Sequence, residues 1–244
     1  MSKKKKNKKK QKNKSFFRSF FEKIIAFIII VPLIGIIGLF SIAYIYKLDL
    51  YRNNTLKNKI ESTMNKSTYV DSENVSPCFL EAVTSIEDHR FYEHKGFDLI
   101  SFTRAMVSNL KSGTHSQGGS TITQQLAKNL YLSSFKSYFR KAVELLIAID
   151  IENSYDKATI LELYVNVIYY GKNSYGILNA SRTFLNKDPI YLTHDESAYL
   201  AGLTQSPTLY STNKELGEKR KQLVLNAMNL YSNCIHNKDN KVSE

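Results

Sequence analysis

Cysteine is scarce in this sequence of 244 residues, which has only Cys78 and Cys234. Two cysteines are too few for a disulfide framework, and their separation does not match the spacing of a metal-ligand motif. We therefore expect two unpaired, incidental thiols and no metal site built on cysteine.

Acidic residues are almost missing from residues 1–23. This segment holds nine lysines between Lys3 and Lys14, together with Arg18 and Lys23, and a single acid, Glu22. It accounts for most of the formal net charge of +12, so the rest of the chain is close to neutral. A DNA-binding domain usually carries its positive excess on its own folded surface, so this distribution argues against a nucleic-acid partner.

Charges are absent from Ile24 to Tyr46, a run rich in Ile, Phe and Leu. A helix of this length spans roughly 34 Å, enough to cross a hydrocarbon core of about 30 Å. The apolar run and the preceding lysines predict a single transmembrane helix over 24–46, with 1–23 cytoplasmic and the remainder extracytoplasmic. The alternative is a cleaved signal peptide ending near Ala43, although the apolar run is long for a signal core.

Alternating strand patterns and internal repeats are also missing. Helical periodicity instead predicts a helix beginning at Pro77 and others at about 98–110, 121–131, 138–153, 157–170, 175–185, 194–204 and 215–232. Start signals are Ser76 before Pro77, Ser120, and a capping box of Thr193 and Glu196.

These patterns predict an all-α domain over residues 76–233. A polar stalk, 47–75, joins it to the membrane helix, and a frayed tail, 234–244, follows it.

Two adjacent acids, Glu87 and Asp88, stand where the first apolar helix of the domain ends. A carboxylate partly sheltered at such a place is suited to accept a proton. The structural alternative is a capping or salt-bridge pair with Arg90. His94 is more typical of a packed, hydrogen-bonded histidine than of a ligand.

A Gly118-Gly119-Ser120 turn precedes the predicted helix over 121–131. Backbone N–H groups exposed by such a turn can bind an anion or a sugar hydroxyl. Gln125 and Lys128 lie three apart on one face of that helix and could point into a cleft. An ordinary helix start is the alternative interpretation.

A stripe of charge follows, in which Lys136, Arg140 and Glu144 recur every four residues with Lys141 beside them. A ladder of salt bridges on a solvated helix face would give the same spacing. The pattern alone therefore leaves a binding role and a structural role open.

In this order, the segments resemble the signature motifs of glycosyltransferase family 51. These peptidoglycan transglycosylases include monofunctional enzymes and the N-terminal domain of class A penicillin-binding proteins. The resemblance covers roughly residues 75–211, and its four matching segments are Glu87–Gly96, Gly118–Gln125, Arg140–Glu144 and Lys157–Asn166. It implies a lysozyme-like, two-lobed fold, in which Phe97–Leu110 faces the membrane or, alternatively, packs on the core.

The resemblance also implies roles for particular residues. Glu87 would be the general base that deprotonates the 4-hydroxyl of lipid II, which attacks a glycan chain on undecaprenyl pyrophosphate and inverts the linkage to β-1,4. Glu144 would be the second catalytic acidic residue. The implied substrate-binding residues are Ser120, Gln125, Lys128, Lys136, Arg140 and Lys141. No cofactor is required and no metal cage is visible, although a divalent cation such as Mg²⁺ is compatible with a pyrophosphate leaving group.

The sequence departs from the family pattern at three places. Lys172-Asn173 replaces the usual Arg-Gly, and Asn186 replaces a glycine after two aromatic residues. Lys136 stands where arginine is common, which keeps the charge but loses bidentate phosphate geometry, so weaker substrate binding is expected.

Two other functions are compatible with the sequence. A glycan-cleaving muramidase of the same fold would also use a glutamate, but it has no anionic leaving group to neutralise. An inactive membrane scaffold that binds other cell-wall synthesis proteins would have no need of Glu87 and Glu144. The length of the sequence leaves no room for a transpeptidase domain, so we expect no cross-linking activity.

Overall fold

The computed structural model describes residues 2–112, 118–132 and 137–234, and their side chains except those of 2–21 and 112. Lys136, one of the residues predicted to bind substrate, lies outside the described residues, as does nearly all of the predicted C-terminal tail.

The described ranges form eleven α-helices and one two-stranded antiparallel hairpin, with single 3₁₀ turns at Ser72–Asn74, Phe91–Glu93 and Pro189–Tyr191. The helices are α1 (Ser2–Asn53), α2 (Leu56–Met64), α3 (Pro77–Glu87), α4 (Leu99–Ser112), α5 (Ile122–Tyr131), α6 (Tyr138–Ser154), α7 (Lys157–Val167), α8 (Ile177–Leu185), α9 (His194–Leu203), α10 (Pro207–Thr212) and α11 (Lys214–Tyr231). The strands are β1 (Tyr169–Gly171) and β2 (Ser174–Tyr175). Helix α5 packs against α6 and α7, while α3 packs against α9 and α11.

Helix α1 continues beyond the predicted transmembrane run to Asn53. Its Glu22–Asn53 part has a mean hydropathy of 2.9 in its most apolar window, and the large apolar side chains from Ile24 to Ile37 are exposed. Because the described part of the protein leaves them uncovered, a lipid environment is the natural partner for these side chains. The helix is long and apolar enough to cross a membrane.

The segment interpreted as a polar stalk, 47–75, packs on the helical body. Lys47 Nζ donates to Asp150 Oδ2 at 2.8 Å, and Tyr69 Oη donates to Glu162 Oε1 at 2.6 Å. Ile60 of α2 is fully buried. The polar composition of residues 47–75 does not indicate this docking, because the docking depends on a few specific contacts with α6 and α7.

The helix starts agree only partly with the predicted caps. Thr193 and Glu196 form the predicted capping box of α9. Ser120 was wrongly predicted to cap α5, because Thr121 accepts the hydrogen bond from Gln124 N. Ser76 stands before α3, but its hydroxyl donates to Leu192 O instead of capping the helix.

Two of the three departures from the family pattern lie where the backbone has positive φ. Lys172 and Asn173, with φ of 47° and 58°, form the two-residue turn between β1 and β2, and Asn186, with φ of 53°, ends α8. Asparagine tolerates this left-handed region better than other residues with a Cβ atom. Asn173 and Asn186 therefore keep the backbone geometry that glycine would give.

The prediction of two unpaired thiols was wrong. Cys78, in the first turn of α3, forms a disulfide with Cys234, beyond the end of α11, and their Cα atoms lie 5.4 Å apart. The cysteines are 156 positions apart in sequence, and only the packing of α11 on α3 brings them together.

Candidate active site

Glu87, the last residue of α3, is held from two sides. Gln125 Nε2 donates to its Oε2 at 2.8 Å, and the Thr204 hydroxyl donates to its Oε1 at 2.8 Å. A guanidinium nitrogen of Arg220 lies 3.7 Å from the same Oε1, and the Glu87 side chain is 11% exposed. A carboxylate with these partners is ordered and still accessible to a small polar group.

Gln125 is itself fixed by a buried tyrosine. The Tyr164 hydroxyl, from α7, donates to Gln125 Oε1 at 3.0 Å, which directs the amide nitrogen of Gln125 to Glu87. Burial and, secondly, the charge of Glu87 raise the pKa of Tyr164 well above its ordinary range. Tyr164 therefore remains a hydrogen-bond donor.

Asp88 has a different task from its neighbour Glu87. It is buried, both of its oxygens lie 3.0 Å from His94 Nε2, and its Oδ2 accepts from Ile122 N at 3.0 Å. The acid thus ties the end of α3 to the start of α5. His94 is packed and hydrogen-bonded as expected. The structural alternative, in which Glu87 and Asp88 pair with Arg90, does not hold, because Arg90 pairs with Asp98 and Glu93.

Lys141 links the second and third motifs. Its Nζ donates to Ser120 Oγ at 2.7 Å, to Gln124 Oε1 at 2.8 Å and to Glu144 Oε2 at 3.0 Å. The buried Glu144 also lies 3.4 Å from Arg140 Nε through its other oxygen. The part of the predicted charge stripe from Arg140 to Glu144 is therefore a packed cluster beside the start of α5.

Burial lowers the pKa of Lys141. The Glu144 carboxylate opposes this effect, and the positive charges of Arg140 and Lys128 reinforce it. Lys128, half-buried on α5, thus belongs electrostatically to the same cluster. Three cations around one carboxylate leave a net positive charge that suits an anionic ligand.

Helix α5 connects the two halves of the site. Its neighbouring residues Gln124 and Gln125 bond to Lys141 and Glu87 respectively. The predicted site residues within the described ranges thus lie on this helix, at its start, or in a series of contacts that begins at Gln124 or Gln125. Gln124, Tyr164, Thr204 and Arg220 were not predicted.

Gln124 stands inside the second motif and could have been suspected from that position. The sequence holds no comparable signal for Thr204, which lies 117 positions from its partner Glu87.

Two cavities in the described part of the molecule are lined by neither Glu87 nor Glu144. The larger, about 760 Å³, lies along α4 and is lined by Ile100, Thr103, Arg104, Val107, Ser108 and Lys111. On the same helix, Leu99, Phe102, Met106 and Leu110 are exposed, which does not fit packing of this face on the core.

Metal ligands are not clustered in the part of the chain that the structure describes: no three His, Cys, Asp or Glu side chains lie together there. Glu144, the acid nearest the cations, is already paired with Lys141 and Arg140.

This mostly helical fold, with its sheltered glutamate beside a cation cluster, defines a transglycosylase domain of lysozyme-like architecture. The chain belongs to the transglycosylase family, whose model matches residues 53–229. The match begins inside the segment interpreted as a stalk, in agreement with the docking of that segment on the body. The all-α fold prediction and the resemblance to transglycosylases are confirmed.

Penicillin-binding proteins are among the relatives of this chain. It is 40% identical to penicillin-binding protein 1A/1B of Bacillus subtilis over 204 residues, which are 81% of this chain and 22% of the relative. It is 48% identical to penicillin-binding protein 1A of Neisseria lactamica over 149 residues, which are 60% of this chain and 19% of that protein. The chain thus spans about a fifth of the length of these relatives.

Proposed function

We propose that the chain is a peptidoglycan glycosyltransferase that polymerises lipid II into β-1,4-linked glycan strands and releases undecaprenyl pyrophosphate. The observation that carries the proposal is the ordered carboxylate of Glu87, which α5 joins to the cation cluster around Glu144. A base and a positively charged site for a leaving diphosphate are the two groups that this transfer needs.

In the proposed step, Glu87 takes the proton of the acceptor 4-hydroxyl while that oxygen attacks the anomeric carbon of the donor. The new C–O bond forms as the bond between this carbon and the pyrophosphate oxygen breaks. Attack from the face opposite the leaving group converts an α linkage into a β linkage. The proton remains on Glu87 and the electron pair of the broken bond leaves with the pyrophosphate.

Lys128, Arg140 and Lys141 neutralise the charge that develops on the pyrophosphate. All three N–H donors of Lys141 have protein partners in the structure. A phosphate oxygen that binds Lys141 must therefore replace one of these partners. We expect it to replace Ser120 or Gln124, which are uncharged, and not the carboxylate of Glu144. Glu144 keeps Lys141 and Arg140 in place during the exchange.

We propose that no resident metal is required. The described carboxylates near the cations offer no group of three metal ligands, so Mg²⁺ would be bound mainly by substrate phosphates and water. Polymerisation that continues in excess EDTA supports the protein cations as sufficient, and loss of polymerisation with recovery on Mg²⁺ addition overturns this part of the proposal.

We propose that α1 crosses the bacterial cell membrane with its lysine-rich end in the cytoplasm and the catalytic domain outside. The disulfide supports this orientation, because disulfides persist mainly in oxidising compartments. The exposed apolar face of α4 would then insert into the outer leaflet of the same cell membrane. In intact cells, a Ser2→Cys variant should resist a membrane-impermeant maleimide, and labelling without permeabilisation contradicts the orientation.

The function is tested with the purified full chain in liposomes and fluorescent lipid II. We expect wild-type protein to form long polymer, and Glu87→Gln to reduce the rate by about 10²–10⁴-fold because it removes a general base. Glu93→Gln is the matched control, since Glu93 is 59% exposed and pairs only with Arg90 among the described residues.

The same experiment separates the other functions. Cleavage of preformed glycan by the wild-type protein would favour a muramidase. Absence of both activities, with the protein folded, would favour a scaffold.

A further inference from the structure

Thr204, the residue that follows α9, reaches the carboxylate of Glu87 from outside every matched motif. Its hydroxyl oxygen lies 2.8 Å from Glu87 Oε1 and also 2.8 Å from Ala201 O. A hydroxyl has one proton to donate, and a carboxylate is a stronger acceptor than a neutral carbonyl. The hydrogen bond therefore goes to Glu87.

Arg220 of α11 stands behind this contact. Its side chain is 11% exposed and its guanidinium lies 3.7 Å from the same Oε1, beyond the length of a direct hydrogen bond. Gly202 makes room for it, because a Cβ atom at that position would lie 3.2 Å from Arg220 Cγ. Helices α9 and α11 thus supply one directional donor and one more distant positive charge.

We propose that Thr204 is a positioning residue for Glu87, with Arg220 as its electrostatic support. This inference rests on the proposed function. Gln125 fixes Oε2 and Thr204 fixes Oε1, so the carboxylate is held at both oxygens and cannot rotate away from the acceptor hydroxyl. Loss of one donor leaves a side chain with three rotatable bonds anchored at one oxygen only, and fewer molecules then hold the base in the reactive geometry.

The test compares Thr204→Val, which keeps the shape but loses the hydroxyl, with Thr204→Ser, which keeps the hydroxyl. Both are made in the full chain and assayed with fluorescent lipid II. We expect Thr204→Val to lower kcat about 10-fold, as for loss of a hydrogen bond to a charged group, with KM changed less than about twofold. Thr204→Ser should keep at least about half of the wild-type kcat, because the donor remains.

Thr212→Val is the control for a threonine-to-valine change nearby, since the Thr212 hydroxyl contacts only carbonyls of its own helix among the described residues. Wild-type kcat in Thr204→Val overturns the proposal. Equal losses in Thr204→Val and Thr204→Ser also overturn it, because they indicate a packing role.

Thr204→Ala is the second variant, with a smaller side chain. If neither Thr204→Val nor Thr204→Ala folds, as judged by circular dichroism, the hydroxyl serves folding and the proposal is wrong. Failure of the proposed function is distinguishable, because wild-type protein would then form no polymer at all.

Discussion

Lys141 illustrates how one residue can serve both structure and chemistry. Its ammonium group holds Ser120, Gln124 and Glu144 together, and so connects a turn, a helix start and a buried acid. Burial, the main influence, lowers its pKa. A group whose pKa is lowered loses its proton at a lower pH than an ordinary lysine, so the positive charge of the site is sensitive to alkaline conditions.

We predict that lipid II polymerisation declines on the alkaline side as Lys141 loses its proton and no longer binds phosphate. Lys141→Arg should move this decline to higher pH, because arginine stays charged throughout the accessible range. The measurement is kcat/KM against pH for the two proteins. Lys187→Arg, which alters a surface pair with Glu196, should leave the profile unchanged, and coincident profiles for wild type and Lys141→Arg contradict the assignment.

The candidate-site residues that the sequence indicates are those that lie in local motifs. Glu87, Gln125 and the group from Arg140 to Glu144 belong to short segments whose chemistry is visible from spacing. Thr204 and Arg220 belong to segments that look like ordinary helix ends and surfaces. Their contact with Glu87 depends on how α9 and α11 pack on α3, and spacing along the chain carries no information on that packing.

At the scale of elements, the junction of α3 with α5 depends on Asp88. This carboxylate receives the N–H of Ile122 in the first turn of α5 and faces His94. Thr121 adds a second bond to the same region, donating to Gly96 O at 2.8 Å. The relative position of Glu87 and Gln125 therefore depends on the buried hydrogen bonds made by their neighbours Asp88 and Thr121.

We predict that Asp88→Asn lowers the free energy of unfolding by about 1.5–3 kcal/mol, the range for hydrogen bonds to a charged group. The amide keeps the shape but presents a donor where the site needs an acceptor. The measurement is urea unfolding followed by circular dichroism. Asp188→Asn, in an exposed pair with Arg182, is the control and should cost less than about 1 kcal/mol; an equal cost for both variants would contradict the prediction.

Element prediction from the sequence succeeded for long periodic segments and failed for short ones. Helices such as α6 and α11 present several turns of pattern. The strands β1 and β2 have three and two residues, and α10 has six, so none spans two full periods of its pattern. Their positions follow from the turn at Lys172 and Asn173 and from packing, which composition does not reveal.

At the scale of the whole molecule, α3 near the start of the helical domain is bonded to the segment that follows α11 at its end. Besides the disulfide, the Glu81 carboxylate accepts from the backbone N–H of Asn233 at 2.6 Å and of Cys234 at 2.8 Å. A cross-link between positions 156 residues apart restricts the unfolded chain strongly.

We predict that Cys234→Ser lowers the free energy of unfolding by about 2–5 kcal/mol, because it opens this loop. Thermal unfolding of the variant should resemble that of wild-type protein in reductant and should not respond to reductant itself. Curves of the variant that coincide with those of oxidised wild type would show that the disulfide contributes little.

The docking of α1 has a mechanical consequence. Lys47 joins the membrane helix to Asp150 of α6, the helix that also carries Arg140, Lys141 and Glu144. Because α1 continues without a break from its apolar part to this contact, we expect it to fix the height and orientation of the proposed phosphate-binding side chains relative to the bilayer. We expect this fixed attachment to limit the catalytic domain to one range of distances from the bilayer, which suits the lipid-linked diphosphate of the proposed reaction.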